Sequence, residues 1–384
     1  MENFNFYNPV KILFGKGQIA NIASEIPANA KILITYGGGS IKKNGVYEQV
    51  IAALAGKTFL EFGGIEANPH LETLLKAVEL IRKEGIDFIL AVGGGSVVDG
   101  TKFIAAAVPF EGDPWNILAQ QVPVKAAIPF GAVLTLPATG SEMNTNAVVT
   151  KAATQEKLYF SSPLVFPKFS VLDPETTFSL PPRQVSNGIV DAYTHVMEQY
   201  LTYPVNAPLQ DRMAESILLT LIEEGPKTLA NLNDYQARAN VMWCATMALN
   251  GLIGVGVPQD WATHMIGHEL TALHGIDHAQ TLAIVLPNML TIQRDRKREK
   301  LLQYAERVWN LVDGDADLRI ERAIAKTREF FEAVGVRTKL SDYGVGLDTI
   351  APIIDRFEKR GFTALGEHRD VTPKVVEQVL TLCA

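Results

Sequence analysis

Only two cysteines occur in 384 residues, Cys244 and Cys383, and neither belongs to a CxxC pair. That excludes a disulfide framework and suits a chain kept in a reducing compartment. No apolar run reaches the ~18–20 residues that cross a bilayer. The first ten residues, MENFNFYNPV, lack a basic segment followed by an apolar one, so no secretory signal is read there and the expected location is cytoplasmic. A basic block is missing too: 35 Lys and Arg stand against 42 Asp and Glu, a formal charge of −7. Neither nucleic acid nor an anionic membrane is an expected partner. Internal repeats and low-complexity tracts are also lacking.

What is there falls into two rhythms. Between about residues 30 and 175, β-rich runs alternate with helical ones. KILITY (31–36), TFLEFGGI (58–65), DFILAV (87–92), AVLTLP (132–137) and FSVLDP (169–174) read as strands. VYEQVIAALAG, HLETLLKAVELIRKEG and VVDGTKFIAAAV read as the helices between them. This alternation implies βαβ units and a parallel sheet. Beyond LPPRQ the pattern is helical only, over 184–202, 206–224, 234–251, 260–273, 278–291, 296–311, 317–334 and 347–359. ANVMWCATMALNGLIGVG (239–256) is apolar nearly all round and is expected at the buried centre of a helical bundle. The chain therefore divides into an α/β domain over 1–179 and an all-helical domain over 180–384.

Two strands run into GGGS. After DFILAV, the turn Gly93–Ser96 opens a helix, a context in which backbone N–H groups and the helix dipole cradle a phosphate. It is not GxGxxG, and a plain βα turn would look similar. Asp99 lies one turn further on. After KILITY, the residues Gly37, Gly38, Gly39 and Ser40 stand where NAD-selective folds place an acid for the ribose 2′-hydroxyl, and Lys42 and Lys43 follow. With no carboxylate there to repel a 2′-phosphate, NADP(H) is the expected cofactor. A third loop, TLPATGSEMNTNAV (135–148), carries Thr135, Thr139, Ser141, Asn144 and Asn146 as hydrogen-bonding side chains.

Four of the seven histidines crowd into WATHMIGHELTALHGIDH (261–278). His264 and His268 share one helical face, Gly275 ends that helix, and Asp277 caps the next with His278 in its first turn. Asp191 and His195, four apart in DAYTHVMEQY, share a face of an earlier helix. One carboxylate with several imidazoles suits Zn²⁺ or Fe²⁺ and not Mg²⁺ or Ca²⁺. Spacing alone leaves open which histidines bind. His70 and His368 stand alone and read as surface residues.

FGKG (14–17), the NP of EANPHLE (66–72), AVGGGSVVDGTK (91–102), LPATGSE (136–142), VLDP (171–174), DAYTH (191–195) and the His264-to-His278 segment are together similar to the iron-containing (group III) alcohol dehydrogenases. The chain most resembles their NADPH-dependent aldehyde reductase and butanol dehydrogenase branch. That resemblance implies a Rossmann-like dinucleotide-binding α/β domain plus an all-helical domain, the dehydroquinate synthase-like architecture. It implies one divalent metal, Fe²⁺ or Zn²⁺, on Asp191, His195, His264 and His278, with His268 beside it as a proton relay and His274 nearby. It places the cofactor over Gly94, Gly95 and Ser96, with Asn68, Asp99, Thr135, Thr139, Asn144 and Lys157 as further contacts, and the turn after KILITY adds Gly38, Gly39 and Ser40 at the ribose 2′ position. The implied reaction is hydride transfer between NADPH and the carbonyl of a small aldehyde, in a homodimer. Two alternatives remain. A polyol or sugar-phosphate enzyme of the same superfamily would need basic residues near the metal, and 185–280 holds only Arg212, Lys227 and Arg238. A metallohydrolase would need the glutamate of HExxH, which HMIGH lacks.

Overall fold

The computed structural model describes residues 1–384. Eight strands form: β1 (Lys11–Phe14), β2 (Lys31–Tyr36), β3 (Thr58–Phe62), β4 (Phe88–Gly94), β5 (Phe130–Leu136), β6 (Asn146–Lys151), β7 (Glu156–Ser161) and β8 (Phe169–Leu172). The helices are α1 (Ile22–Glu25), α2 (Val46–Ala53), α3 (Leu71–Glu84), α4 (Gly95–Ala107), α5 (Asn116–Ala119), α6 (Pro182–Tyr200), α7 (Pro208–Ala230), α8 (Tyr235–Ala248), α9 (Ala262–His274), α10 (His278–Ile292), α11 (Arg298–Arg307), α12 (Ala316–Ala333), α13 (Ile350–Lys359) and α14 (Pro373–Leu382).

Two compact units result, Tyr7–Leu180 with Leu232–Thr246, and Met1–Phe6 with Pro181–Asn231 and Met247–Ala384. In the first, six strands make a parallel sheet in the order β1-β8-β5-β4-β2-β3. Strand β2 has β3 on one side and β4 on the other, so the order reverses at the β2–β4 pair. Open α/β sheets bind ligands outside the carboxyl ends of their strands at such a reversal. Both GGGS turns leave from there, one after Tyr36 and one after Val92, which are register partners. Strands β2, β4 and β5 are buried almost throughout, as strands covered on both faces must be. One face packs on α3 and α4 through Leu74, Val78, Ile81, Val98 and Ile104. The other packs on Ile19, Ile22, Val46, Val50 and Leu54.

The sequence boundaries for β2, α3, β5 and α9 lie within about two residues of those observed. The stretch 239–256 departs from expectation. Its helical part, α8, belongs up to Thr246 to the sheet unit, and residues after it turn instead of continuing. Met242 packs on Leu134 and Leu172, the Thr246 hydroxyl donates to Glu142 at 2.5 Å, and Trp243 is half-exposed against Phe14. The apolar surface of this helix covers the end of a sheet, not the middle of a bundle.

In the second unit α9 and α10 pack on α13 and α14 through Ile266, Leu270, Ile284, Val285, Phe357 and Val379. On α6, Tyr193 lies 5.1 Å and 5.5 Å from the Phe330 and Phe331 rings of α12, and its hydroxyl meets that of Tyr304 at 2.5 Å. A buried ion cluster ties four segments together: Lys297 Nζ lies 3.0 Å from Asp260 and 2.5 Å from Glu367, and donates to the Leu201 carbonyl at 2.7 Å. Burial opposes the charge on Lys297, but the two carboxylates outweigh it and hold its pKa above the usual lysine value. Lys297→Met should therefore destabilise the protein by about 3–5 kcal/mol in chemical denaturation, because two carboxylates stay buried without their cation. A loss under about 1 kcal/mol would show that water replaces the ammonium.

Candidate metal centre and cofactor turns

Helix α6 starts with proline at its first positions and presents Asp191, His195 and Glu198 on one face at spacings of four and three. Helix α9 presents His264 and His268 in the same way, and Gly275 ends it with φ 68°. His278 then begins α10. The close approach of α9 to α10 depends on Gly267, where a Cβ would stand 2.7 Å from Thr281 Oγ1. Asp277 occupies the cap position of α10, but its carboxylate does not cap. It accepts from Asn187 Nδ2 at 2.7 Å and faces Arg183 at 3.4 Å, so it joins α10 to α6.

The result is a buried convergence. Ligand atoms of Asp191, His195 and His264 all lie within 4.8 Å of one another. Asp191 Oδ1 is 3.7 Å from His195 Nε2 and 3.8 Å from His278 Nε2. The His195 and His264 rings stack at 4.7 Å, and His264 and His278 meet at 5.2 Å. The two Asp191 separations are too long for hydrogen bonds. They suit atoms sharing one cation, since donors ~2.1 Å from a common centre sit roughly 3–4 Å apart. Asp191 Oδ1 is buried and has no hydrogen-bond partner, a costly state for a carboxylate unless a cation takes it. Three imidazoles with one carboxylate therefore fit a divalent transition metal. His268 is also buried, its ring 5.1 Å from His278 and 6.4 Å from His264. His274 turns elsewhere and meets the Thr349 hydroxyl at 2.6 Å. His70 and His368 are partly or largely exposed, His368 against the Tyr203 ring.

Glu198 was not read from the sequence as a site residue. It is 2 % exposed, accepts the backbone N–H of Thr263 at 2.7 Å and of His264 at 3.3 Å, and meets Nδ1 of His264. Burial pushes its carboxyl well up, Asp260 adds to that, and the two backbone N–H groups and Lys297 oppose it. Its position seven residues after Asp191 on the same helical face was the available signal.

In the sheet unit, Gly95 and Ser96 form the first turn of α4. A Cβ on Gly95 would lie 2.4 Å from Thr139 Oγ1, so Thr139 stands directly beside this turn. Ser96 Oγ accepts the Asn68 N–H at 3.3 Å, and Lys157 Nζ donates to Asn68 Oδ1 at 2.9 Å. Thr135 is buried on β5. Gly94, Gly95, Ser96, Asn68, Thr139 and Lys157 are thus brought together, with Asn68 itself at φ 58°. Asp99 and Asn144 are spent inside the protein. Asp99 Oδ1 accepts from Ser141 at 2.5 Å and Oδ2 from the Val148 N–H at 2.9 Å. Asn144 Oδ1 accepts from Lys102 Nζ at 2.8 Å, and Asn144 Nδ2 donates to the Thr139 carbonyl at 3.3 Å. Lys102 is fully buried, which pulls its pKa down to about 8. Burial pushes Asp99 and Glu142 up.

The turn after β2 corrects one expectation. Gly38, Gly39 and Ser40 are there, and a Cβ on Gly38 or Gly39 would enter open space. An acid does stand close by: Glu61 on the neighbouring strand β3 pairs with Lys42 at 2.7 Å and accepts from Tyr47 at 2.5 Å. Sequence distance hid this pair between the turn and β3. Lys42 is neutralised by it, and its hydrogen bond to Glu61 holds the Lys42 pKa above the usual range. Lys43 beside it is exposed as well.

Comparison with known proteins agrees along the whole chain. The family model for iron-containing alcohol dehydrogenase matches residues 9–174, and that for the Fe-containing alcohol dehydrogenase family C-terminal region matches 185–381. The NADPH-dependent aldehyde reductase YqhD of Escherichia coli is 60% identical over 99% of both chains. A crystal structure of E. coli YqhD superposes with a TM-score of 0.99, covering 100% of this chain and 99% of that one. The NADH-dependent butanol dehydrogenase A of Thermotoga maritima, 37% identical, superposes with a TM-score of 0.96 over 100% of this chain and 99% of its own. The chain belongs to the iron-containing alcohol dehydrogenase family, in its aldehyde reductase and butanol dehydrogenase branch.

Proposed function

We propose that the protein is a metal-dependent, NADP-linked alcohol dehydrogenase that works as an aldehyde reductase on small aldehydes. The observation that carries this reading is the convergence of Asp191, His195 and His264 around a buried carboxylate oxygen with no hydrogen-bond partner, with His278 at its edge. Those four residues hold one Fe²⁺ or Zn²⁺. A divalent metal there supplies Lewis-acid polarisation of a carbonyl oxygen, and NADPH supplies the hydride. The chain's own residues do the rest. His268, beside the proposed ligand histidines, would supply the proton that the alcohol product gains. Gly94, Gly95 and Ser96 receive the pyrophosphate at the start of α4, Asn68 and Lys157 close over it, and Thr135 and Thr139 line the same turn. Asp99 and Asn144 act by holding the 139–148 loop, their side chains being bound within it. Gly38, Gly39 and Ser40 hold the ribose phosphate. We propose a cytoplasmic homodimer, and light scattering on the purified protein would check the dimer.

The reading is tested by following NADPH and NADH oxidation across a panel of short aldehydes. NADPH should give the higher kcat/KM. No turnover with any aldehyde would sink the assignment. Cofactor choice can then be moved. An aspartate at Gly39 would face the 2′-phosphate, and unit charges ~4 Å apart repel by about 4 kcal/mol at an effective dielectric near 20. Even a screened third of that matches the ~1.4 kcal/mol behind a tenfold preference. Gly39→Asp should swing kcat/KM toward NADH by at least roughly tenfold. Gly39 has φ 89°, so this variant also strains the turn by about 1–2 kcal/mol. Gly38→Asp avoids that strain, and an unchanged cofactor ratio in both variants would mean the turn does not read the 2′ position.

A further inference from the structure

Three histidine nitrogens can hold a metal beside Asp191 only if each ring presents a lone pair, and that depends on where its proton sits. For His264 the structure shows what sets it. Glu198 reaches from α6 to the start of α9 and meets His264 at two points, its backbone N–H at 3.3 Å and its ring Nδ1. The same carboxylate takes the Thr263 N–H at 2.7 Å. Two of these donors are backbone groups and cannot change role. They pin the carboxylate with its oxygens toward His264.

We propose that Glu198 is a positioning residue for the metal centre: it holds the His264 ring as the tautomer with hydrogen on Nδ1 and thereby aims Nε2 at Asp191 and His195. This rests on the reading of His264 as a ligand. Several observations support the geometry. His264 stacks on His195 at 4.7 Å with their planes 18° apart, so the ring has little freedom to turn over. Trp261 closes its other side, its ring 5.3 Å away and edge-on. Glu198 is locked in its turn, since α6 presents it from a buried face and the Asp260 N–H bonds to its carbonyl at 2.9 Å. The arrangement has the form of a carboxylate–histidine–metal relay, in which the outer carboxylate orients the ring and raises its basicity.

Glu198→Gln is the informative variant because it is nearly isosteric and inverts one atom. Its amide oxygen, in the place of Oε1, still accepts the Thr263 N–H, and only the longer His264 N–H bond to Oε2 is given up. Its amide NH₂ then points at Nδ1 of His264, makes that nitrogen the acceptor, and drives the ring hydrogen onto Nε2, where it competes with the metal. The probe is Zn²⁺ titrated into apoprotein against a chromogenic chelator, with the unfolding temperature of each apoprotein measured alongside. Glu198→Gln should raise the Zn²⁺ dissociation constant ~10–100-fold, the range for lost outer carboxylates, while the apo unfolding temperature moves little. An unchanged dissociation constant in a folded Glu198→Gln protein would overturn the proposal. Should that variant fail to fold, the wild-type apoprotein decides, through ¹⁵N-histidine NMR with His264 assigned by its loss in His264→Ala. A ring with hydrogen on Nδ1 supports the proposal, and one with hydrogen on Nε2 overturns it. The ligand reading fails separately: His264→Ala that still binds Zn²⁺ as tightly as wild type removes the ligand, not its orienting partner.

Discussion

His264→Ala should emerge from purification without its metal and with kcat/KM reduced at least about a thousandfold, while its far-UV circular dichroism stays that of the wild type. His264 is the proposed ligand on which most of the centre's contacts meet: it stacks on His195, touches His278 and is held by Glu198. Removing it leaves the other three proposed ligands on two helices and takes away the ring donor that Glu198 faces, while both backbone donors stay. Lewis-acid polarisation is worth several kcal/mol of barrier, and ~4 kcal/mol already corresponds to about a thousandfold in rate. The α9–α10 packing through Ile266, Leu270, Ile284 and Val285 does not involve this ring, so the fold should persist. Metal content by mass spectrometry and activity on the same sample check the result. A full equivalent of metal in the variant would mean that the ligand set is wrong.

His268→Ala should behave differently, keeping its metal while kcat falls ~10²–10⁴-fold, the usual worth of a general acid. The residue lies on the same face of α9 as His264, one turn on. Its ring is buried and sits 5.1 Å from that of His278, outside the Asp191–His195–His264 group, which is where a proton relay beside the proposed metal would stand. The loss should fall on kcat more than on KM, because the proton is needed only once the carbonyl has been reduced. Steady-state kinetics and metal analysis on one preparation separate the outcomes. A metal-free His268→Ala protein would make His268 a ligand. Unchanged kcat would remove it from the proton path.

The sheet and the centre were legible in the sequence to different depths and for different reasons. Buried parallel strands are short, nearly pure apolar runs, so KILITY and DFILAV announce themselves. The edge strand β1 is four residues with only its middle half-buried, too short for a period, and it passed unread. The β6–β7 hairpin was missed although Ala147 and Val149 alternate with less buried neighbours. Helix α14 was missed too, despite Pro373 at its first position and Val376, Val379 and Leu380 at helical spacing. The histidine cluster could be read because helix spacing and one glycine turn are local. The roles of Glu198, Glu61 and Asp277 could not, because each follows from a contact between elements far apart in the chain. Long-range packing decides which way such side chains point, and spacing is silent about it.

The most direct test of the account is to strip the metal and restore it. The purified protein is treated with a chelator, its metal content is measured, and NADPH oxidation with a short aldehyde is followed before and after adding Fe²⁺ or Zn²⁺. One metal per chain in the starting protein, loss of turnover in the apoprotein and recovery at one equivalent of either ion are the expected results. Full NADPH-dependent aldehyde reduction by a protein with no bound metal would contradict it.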